Sequence, residues 1–504
     1  MKSGLVLLVN PKMCKPRAVR LPLSLLALAA ALEGRYDYRI IDGNVDPNAL
    51  ENALAAIQEK PCALVAVTVM PGPQVATAIE ISSAIRAAHP YVPIAWGGYF
   101  PTLYPESAIS APYVDYVVRG QGEQTILDLL ARLPGGDGLS EVRGITWKEQ
   151  THGRIVHNPD RSFSSPDEFA RLPYHRLRDV TPYLRPSFMG TRTAVHQAAI
   201  GCRYHCSFCG VVSMFNGHTR LQAAENIEAA LTLLRTDYGA NAVQFYDHNF
   251  FDNEESSLPA IEVMARMQMP WWCYARADTL AKFSAGTWEL LRRGRFTMAY
   301  IGAESASQEV LKRMRKGSRI EHTFEVARRC LEYGVIPEFS FVLGGPEDPE
   351  GEIENTLSFI KKIKQIHPRC EAILYFYSPT PQRDPALRRQ SMEAQLPVLN
   401  NYGPRGPELP VTPEEWTQPQ WINYVCHLDA PWLTPKIRQR VRDFAKVLQC
   451  RYPTVQDYST PTWGKALLKS LATWRYNSGR YGNPWELDLA RKFIPLRQPQ
   501  KESL

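Results

Sequence analysis

Three cysteines, Cys202, Cys206 and Cys209, stand within eight residues in the segment GCRYHCSFCG. Thiolate is the usual ligand of iron in iron-sulfur clusters, so these side chains can hold three corners of a four-iron four-sulfur cluster. The fourth iron would stay open, and an open iron can chelate the amino and carboxylate groups of S-adenosylmethionine. The alternative is a zinc site completed by His205 or Cys273. Zinc-ribbon cysteines usually come as two separated pairs, and the sequence has no second CxxC.

The elements that must position this loop form a regular alternation of strand-like and helix-like stretches. Strands are predicted at 194–200, 242–246, 271–275, 297–301, 338–343 and 373–377, with helices at 223–234, 258–267, 285–292, 320–333 and 352–366. Six repeats are too few for a closed eightfold barrel, so residues 192–384 are predicted to form a partial (β/α)6 barrel. The cysteines follow its first strand, at the carboxyl-end mouth where active sites of such barrels lie.

A second alternating series precedes the barrel. Strands are predicted at 5–10, 38–42, 64–70, 94–97 and 114–119, with helices at 21–32, 48–58, 75–88 and near 124–133. This pattern predicts an α/β Rossmann-like domain over residues 1–140, with ligands at the carboxyl ends of its parallel strands. Residues 141–191 break into short pieces and Pro-bearing loops, which indicates a connector.

The last segment, residues 385–504, is predicted to be mainly helical and aromatic-rich. Six of the eleven tryptophans fall there, namely Trp416, Trp421, Trp432, Trp463, Trp474 and Trp485. Such a segment could cover the substrate or could simply be the core of a small helical domain.

Composition and charge narrow the functional classes. A chain of 504 residues exceeds what one core usually serves. The net charge of +7, without a long basic block, favours no nucleic-acid partner. Only three of the ten cysteines cluster, which indicates reduced thiols and a cytoplasmic location. The basic stretch 12–20 and apolar run 21–32 look like a secretion signal, but a strand precedes them, and no stretch is long enough to span a bilayer.

The cysteine loop, with Phe208 just before its last cysteine, resembles that of the radical S-adenosylmethionine superfamily. The resemblance implies a 4Fe-4S cluster and bound S-adenosylmethionine (SAM). Asp247 and Asn249, in FYDHNFFDN, follow the second strand, where the superfamily places a polar group on the methionine amino group. Arg276 follows the third strand, before Asp278, and its guanidinium suits the methionine carboxylate. The alternative for each residue is a salt bridge at the barrel rim.

The same resemblance covers two later strand ends. Glu304 and Ser305, in IGAESAS, suit an ammonium group or ribose hydroxyls. Gly344 and Gly345, in FVLGGPED, lie where the superfamily brings backbone close to the adenine, an approach that glycine permits. The sixth strand ends in YFYSPTPQRD, whereas relatives commonly read a proline followed by Gly-Thr, so the local substrate contacts stay open.

The first domain resembles the cobalamin-binding domain that precedes many of these enzymes. The resemblance implies that cobalamin contacts Gly97 and Gly98 after one strand and Gly120, Gly122 and Glu123 in GQGEQT. The small glycines would let a nucleotide tail approach. The alternatives are a degenerate Rossmann domain that binds nothing and a dinucleotide site, although no GxGxxG follows the first strand.

A histidine that many cobalamin proteins place on cobalt is missing. Their DxHxxG motif follows the first strand, where this sequence reads NPKMCKPRAVR. Thr68 and Met70, in AVTVM, end the third strand, and we expect both to bind cobalamin, with Met70 facing the cobalt or covering it. The alternative is a plain core methionine.

Together these features resemble the cobalamin-dependent, or class B, radical SAM family over roughly residues 1–385. The resemblance implies methylation of an unactivated carbon of a small-molecule or lipid-like substrate, through a 5′-deoxyadenosyl radical and methylcobalamin. It also implies an electron donor such as flavodoxin or ferredoxin. Some members instead close, contract or oxidise rings, as in tetrapyrrole cyclisation. The other alternative is a non-catalytic protein that carries cobalamin and a cluster. The open fourth iron argues against this alternative.

Overall fold

The computed structural model describes residues 2–135, 137–149, 153–345, 347–378, 409–430, 433–457 and 459–497. Two sheets, each built mainly from parallel strands, organise most of this chain. Trp432 and the predicted boundary between residues 384 and 385 lie outside the described residues.

The first sheet has seven strands in the order β2-β1-β3-β4-β5-β6-β7. They are β1 Lys2–Asn10, β2 Tyr36–Asp42, β3 Cys62–Thr68, β4 Ile94–Gly97, β5 Tyr116–Val118, β6 Ile145–Lys148 and β7 Ile155–His157. The first five are parallel to one another, as the alternating pattern predicted. The last two are antiparallel and come from the segment predicted as a connector, so part of that segment extends the first sheet.

Six helices cover the two faces of this sheet. They are α1 Leu23–Leu32, α2 Ala49–Glu59, α3 Gln74–Ala88, α4 Tyr99–Leu103, α5 Pro105–Ser110 and α6 Glu123–Arg132. Successive residues of a strand point to opposite faces, so Leu64 and Ala66 of β3 pack toward α1 and α6, whereas Val65 and Val67 pack toward α2 and α3. Burial on both faces explains why these strands read as continuous apolar runs.

The second sheet has six parallel strands in the order β15-β14-β13-β12-β11-β8. The strands of this half are β8 Thr193–His196, β9 Ala199–Gly201, β10 Thr219–Leu221, β11 Ala242–Phe245, β12 Trp271–Arg276, β13 Phe296–Glu304, β14 Ile336–Leu343 and β15 Glu371–Phe376. The helices are α7 Val211–Phe215, α8 Ala224–Thr236, α9 Glu254–Met267, α10 Ala277–Leu280, α11 Ala285–Arg293, α12 Gln308–Arg313, α13 Ile320–Tyr333 and α14 Pro349–Ile366. The predicted partial barrel is confirmed.

One predicted strand is wrong in detail. Residues 194–200 form two strands, because β8 joins the barrel sheet whereas β9 pairs with β10 in a separate antiparallel ribbon. The backbone N–H of Ala199 donates to the Asp247 carboxylate at 2.6 Å, which turns the chain away from the barrel sheet. The ribbon begins there and carries the cysteine loop between its strands.

The described C-terminal part is helical, with α15 Pro419–Val425, α16 Pro435–Arg451, α17 Thr462–Ser478 and α18 Trp485–Phe493. Trp416 packs into the core of the first domain, against Tyr104 at 4.1 Å between ring centroids. Leu433 and Phe444 join the barrel core. The segment therefore packs on both preceding units. None of the described helices is long and apolar enough to cross a membrane.

Candidate active site

The cysteine loop lies between β9 and α7, at the carboxyl ends of the barrel strands. Cys206 is buried, whereas Cys202 and Cys209 are half-buried. The loop is tied internally by a 3.2 Å bond from the Cys209 N–H to the Cys206 carbonyl. It is tied to the end of α12 by a 3.0 Å bond from the Ser207 N–H to the Met314 carbonyl. The three thiols are thus held on one short, anchored loop.

Two cations face these thiols. Nη1 of Arg276 donates to Sγ of Cys206 at 3.6 Å. Burial raises the pKa of the Cys202 and Cys209 thiols, the latter to about 12, and at Cys202 the backbone hydrogen bond at Tyr204 and the charges of Arg276 and Lys316 offset only part of the rise. Positive charge beside a buried thiol favours thiolate and therefore metal binding. The donor set of three cysteines with adjacent cations fits an anionic iron-sulfur cluster.

A single metal ion fits less well. In the part of the chain that the structure describes, no three His, Cys, Asp or Glu side chains converge on a site for one ion. That finding includes the three loop cysteines and the predicted zinc completions His205 and Cys273. A four-iron cluster does not require such convergence, because each thiolate binds a different iron.

Two buried ion pairs form a polar cage beside Cys206. Nε of Arg276, at the end of β12, lies 3.0 Å from Oδ1 of Asp278, and Nζ of Lys316 lies 2.6 Å from Oε1 of Glu304, at the end of β13. All four side chains are less than a tenth exposed. The guanidinium also lies 3.5 Å from the centroid of the Tyr204 ring. The predicted SAM-carboxylate ligand Arg276 is thus held in place by a neighbouring carboxylate.

Glu304 has an unusual backbone conformation. Its φ is +61°, in the left-handed region that non-glycine residues seldom adopt. At Gly302, two residues earlier, an added Cβ would lie 2.1 Å from Oε1 of Glu304. Gly302 therefore leaves the room into which the carboxylate turns to meet Lys316. Strain of this kind is typical of functional sites.

Asp247 and Asn249 are buried just after β11 and keep unused acceptors. Oδ2 of Asp247 and Oδ1 of Asn249 have no hydrogen-bond partner in the described structure. Burial raises the pKa of Asp247 to about 8. Two buried, unpartnered acceptors suit a ligand that brings donors, and an ammonium group is such a donor. The residues fit the amino end of SAM.

The other residues predicted to contact SAM have protein partners of their own. Phe208 packs in a small cluster with Val310, Met314 and Tyr377, and Nζ of Lys316 lies 5.9 Å from its ring centroid. Oγ of buried Ser305 accepts from the Ser307 N–H at 3.1 Å.

At Gly344, whose φ is +76°, an added Cβ would lie 2.9 Å from Leu433. The Gly345 N–H donates to Glu352 at 3.1 Å. These glycines permit close approach of the C-terminal part and of α14, so their role at an adenine stays a prediction.

A cleft opens above the first sheet and reaches the barrel. Six of the residues predicted to bind cobalamin line it, namely Thr68, Gly97, Gly98, Gly120, Gly122 and Glu123. Its lower part runs between the sheet and helices α1 and α6, along Leu28, Leu64, Ala66, Ala95 and Ile126. Small side chains on β3 and β4 leave this slot open, which is the cradle that a nucleotide tail beneath a corrin requires.

The opposite wall of the cleft belongs to the barrel. It consists of Gln197, Ile200, Met214, Phe215 and His248, which lie around β9 and α7 on either side of the cysteine loop. Nδ1 of His248 accepts from the Gly201 N–H at 3.2 Å, and burial lowers the pKa of His248 to about 4. This imidazole is therefore neutral at physiological pH. The cleft extends from the first domain to residues that precede and follow the cysteine loop, while residues 202–209 themselves, all of which the structure describes, do not line it.

Met70 lies apart from this cleft. Its side chain is 41% exposed, and it is absent from the cleft lining in the described part of the chain. Its N–H donates to Oε1 of Gln74 at 2.7 Å. The expectation that Met70 faces or covers cobalt gains no support from this position and stays a prediction.

Sequence reasoning missed three residues of the site. Lys316 follows α12 in an unremarkable basic stretch, and Tyr204 lies inside the cysteine motif without a distinctive spacing. His248 stands between Asp247 and Asn249, so the predicted polar strand end was a usable signal for it. The partners of Lys316 and Tyr204 come from other strands, and no local pattern carries that information.

Comparison with known proteins gives the same two units. Residues 17–130 match the family described as the B12 binding domain, and residues 198–360 match the radical SAM superfamily. The two matches together span more than half of the chain.

Two curated relatives extend across both units. An uncharacterised methyltransferase of Pyrococcus horikoshii is 25% identical over 68% of this chain and 73% of its own length. The anaerobic magnesium-protoporphyrin IX monomethyl ester cyclase of Synechocystis is 23% identical over 68% of each chain. The similarity thus includes a methyltransferase and a cyclase.

A solved structure shares the fold. The radical SAM methyltransferase TsrM from Kitasatospora setae, solved with cobalamin and a [4Fe-4S] cluster bound, superposes with a TM-score of 0.64 at 18% identity. The match covers 98% of this chain and all of TsrM. The two matched families in tandem, the open barrel and the three-cysteine loop agree, and the chain therefore belongs to the cobalamin-dependent radical SAM enzymes, which use a 4Fe-4S cluster, SAM and cobalamin.

Proposed function

We propose that this enzyme transfers a methyl group to an unactivated carbon of a small-molecule or lipid-like substrate. The observation that carries the proposal is the continuous cleft, whose one wall is the glycine-lined edge of the first sheet and whose other wall flanks the cysteine loop. A methyl donor and a radical generator that must act on one carbon need this juxtaposition. The methyltransferase among the relatives supports the same reaction class.

The cofactors, when bound, supply reductive cleavage of SAM and a transferable methyl group. Cys202, Cys206 and Cys209 would hold the cluster, and Arg276 and Lys316 would offset its negative charge. Asp247 and Asn249 would receive the ammonium group of SAM on their unpartnered oxygens. An electron donor such as flavodoxin or ferredoxin would supply the reducing equivalents.

The residues that line the first-domain side of the cleft would mainly provide space for cobalamin. Thr68, Gly97, Gly98, Gly120, Gly122 and Glu123 line the upper cleft, and the slot along Ala66 and Ala95 would take the nucleotide tail. The neutral imidazole of His248 and the apolar side chains of Met214 and Phe215 would keep water from the space between the two centres. Excluding water protects a reactive carbon radical from side reactions.

The test is anaerobic reconstitution with iron, sulfide and cobalamin, followed by incubation with SAM, a reductant and candidate substrates. We expect 5′-deoxyadenosine, S-adenosylhomocysteine and a product heavier than its substrate by one CH₂ group, measured by mass spectrometry. Formation of 5′-deoxyadenosine without S-adenosylhomocysteine would contradict methyl transfer. Absence of both across a wide substrate panel would favour a non-catalytic cofactor-binding protein.

Ring formation or oxidation is the second candidate reaction. It is favoured by the similarity to the cyclase of Synechocystis, which extends over the same share of the chain as that to the methyltransferase. The two candidates differ in product mass, because cyclisation or oxidation adds no CH₂ group. The same incubation therefore separates them.

A further inference from the structure

The outer side of the α17–α18 hairpin carries an unusual number of exposed apolar side chains. On α17 they recur at intervals of three or four residues, and on α18 at intervals of four, so each set forms one stripe along its helix. They are 38–80% exposed and comprise Trp463, Leu467, Leu471, Trp474, Trp485, Leu489 and Phe493, which we term the outer face. Three of the seven are tryptophans.

The two stripes lie on the same side of the hairpin. An added Cβ at Gly464 would meet Ile494, and Arg475 pairs with Glu486, so the helices run antiparallel. The inner sides of the two helices carry buried core residues and face α16, namely Leu468, Ala472 and Tyr476 on α17 and Leu487 on α18. With 100° between successive residues, both stripes then point away from α16 and flank the outer groove between the helices. The outer face is therefore one continuous apolar surface.

The segment that carries the outer face is strongly basic. Residues 433–497 contain 13 Lys and Arg but only 4 Asp and Glu, an excess larger than the net charge of +7 of the whole chain. The acidic side chains are engaged within the protein. Asp443 and Asp457 are buried and hydrogen-bonded, and Glu486 and Asp488 are ion-paired. At least four of the 13 cations are also ion-paired, namely Arg438, Arg440, Lys446 and Arg475, and the segment keeps a net positive charge.

Cations border the outer face directly. The guanidinium carbons of Arg475 and Arg480 lie 5.9 and 5.8 Å from the Trp474 ring centroid. Arg480 and, on α18, Lys492 are exposed, whereas Arg475 is buried and paired with Glu486. Tryptophan beside Lys and Arg is the combination found at membrane interfaces, where the ring lies at headgroup level and the cation meets lipid phosphate.

We propose that the outer face docks on an anionic lipid bilayer, with the tryptophans, leucines and Phe493 at the boundary between headgroups and acyl chains and the cations on phosphate groups. Charge selects this occupant. A second copy of the chain would bring an equally basic face and would be repelled, and protein interfaces are depleted in lysine. A bilayer rich in phosphatidylglycerol offers both the acyl boundary and the negative potential. This inference does not depend on the proposed reaction.

The experiment is co-sedimentation of the full chain with phosphatidylcholine vesicles that contain or lack phosphatidylglycerol. We expect binding to the anionic vesicles that weakens as sodium chloride is raised, because salt screens the cations. The triple variant Leu467→Gln, Leu489→Gln, Phe493→Gln should lose at least about tenfold in partition coefficient, since it removes apolar area from the boundary. Leu331→Gln, an equally exposed helical leucine of the barrel, is the matched control and should bind like the native protein.

Native protein that stays in the supernatant with anionic vesicles at low salt would overturn the proposal. So would a triple variant that binds as well as the native chain. Light scattering after size exclusion supplies a third check. If the native protein is a dimer and the triple variant is a monomer, the outer face binds a second copy of the chain and the proposal is overturned. If the triple variant fails to fold, Arg480→Glu with Lys492→Glu, both at exposed positions beside the outer face, must weaken anionic-vesicle binding for the proposal to stand.

Discussion

A larger side chain in the slot between the first sheet and helices α1 and α6 should weaken cobalamin binding and leave the cluster site intact. Ala66 lies in the middle of β3 and lines the slot between the sheet and helices α1 and α6. Ala66→Leu adds three carbons there, and their burial in the empty slot would stabilise the apoprotein by about 2 kcal/mol at about 0.8 kcal/mol per carbon. The added atoms occupy the path of a nucleotide tail. Bound cobalamin would have to displace them or leave its tail outside.

We expect the Kd for cobalamin to rise at least about 100-fold, equivalent to about 2.8 kcal/mol. Equilibrium dialysis with detection of the corrin absorbance measures that constant, and thermal unfolding shows whether the apoprotein keeps its stability. Ala76→Leu is the matched control, because Ala76 is exposed on α3 at the other face of the same sheet. Formation of 5′-deoxyadenosine should persist in Ala66→Leu if the radical centre needs no cobalamin. An unchanged Kd would refute the assignment of the slot.

Three further predictions concern the barrel. Cys206→Ala should abolish 5′-deoxyadenosine formation and leave cobalamin bound, with Cys426→Ala as control; loss of cobalamin as well would mean that the two sites are not separable. Glu304→Gln leaves Lys316 buried without its carboxylate and should lower the free energy of unfolding by about 3–5 kcal/mol in denaturant titrations, whereas an effect under about 1 kcal/mol would mean that water solvates the amine. Burial holds the pKa of Asp247 at about 8, against about 4 when unfolded. The free-energy cost of ionising Asp247 in the folded protein therefore grows as the pH rises from about 4 to about 8 and is constant above that. The free energy of unfolding of Asp247→Asn should accordingly rise relative to that of the native chain between these pH values, and a pH-independent difference would contradict the shift.

Much of the fold is legible in the sequence because burial imposes local periodicity. The strands of the first sheet read as apolar runs since helices cover both of its faces, and the cysteine spacing identifies the loop that carries the thiols. Residues 194–200 were predicted as one strand, whereas the chain breaks after β8. The contact at that break involves Asp247, which lies more than forty residues later. A local pattern does not contain that contact.

The site was predicted less completely than the fold. Gly97, Gly98, Gly120 and Gly122 line one cleft, because each follows a strand and parallel strands end at the same edge, and their contact with cobalamin stays a prediction. Gly344 and Gly345 show the limit of that reasoning, since the neighbours that require their small size are Leu433 and Glu352, which only tertiary packing brings near. Lys316 was missed for the same reason.

The position of Trp416 has a consequence for biosynthesis. This side chain is 1% exposed against Tyr104 and Phe100 of the first domain, and Tyr113 donates to Glu414 at 2.6 Å beside it. A ribosome makes the chain from its N-terminus, so the first domain emerges with an aromatic recess that stays open until the whole barrel has been translated. The nascent domain would expose that recess to solvent and to chaperones for many seconds. Docking of the late segment closes it, so a chain truncated before residue 409 would leave an apolar recess on its first domain.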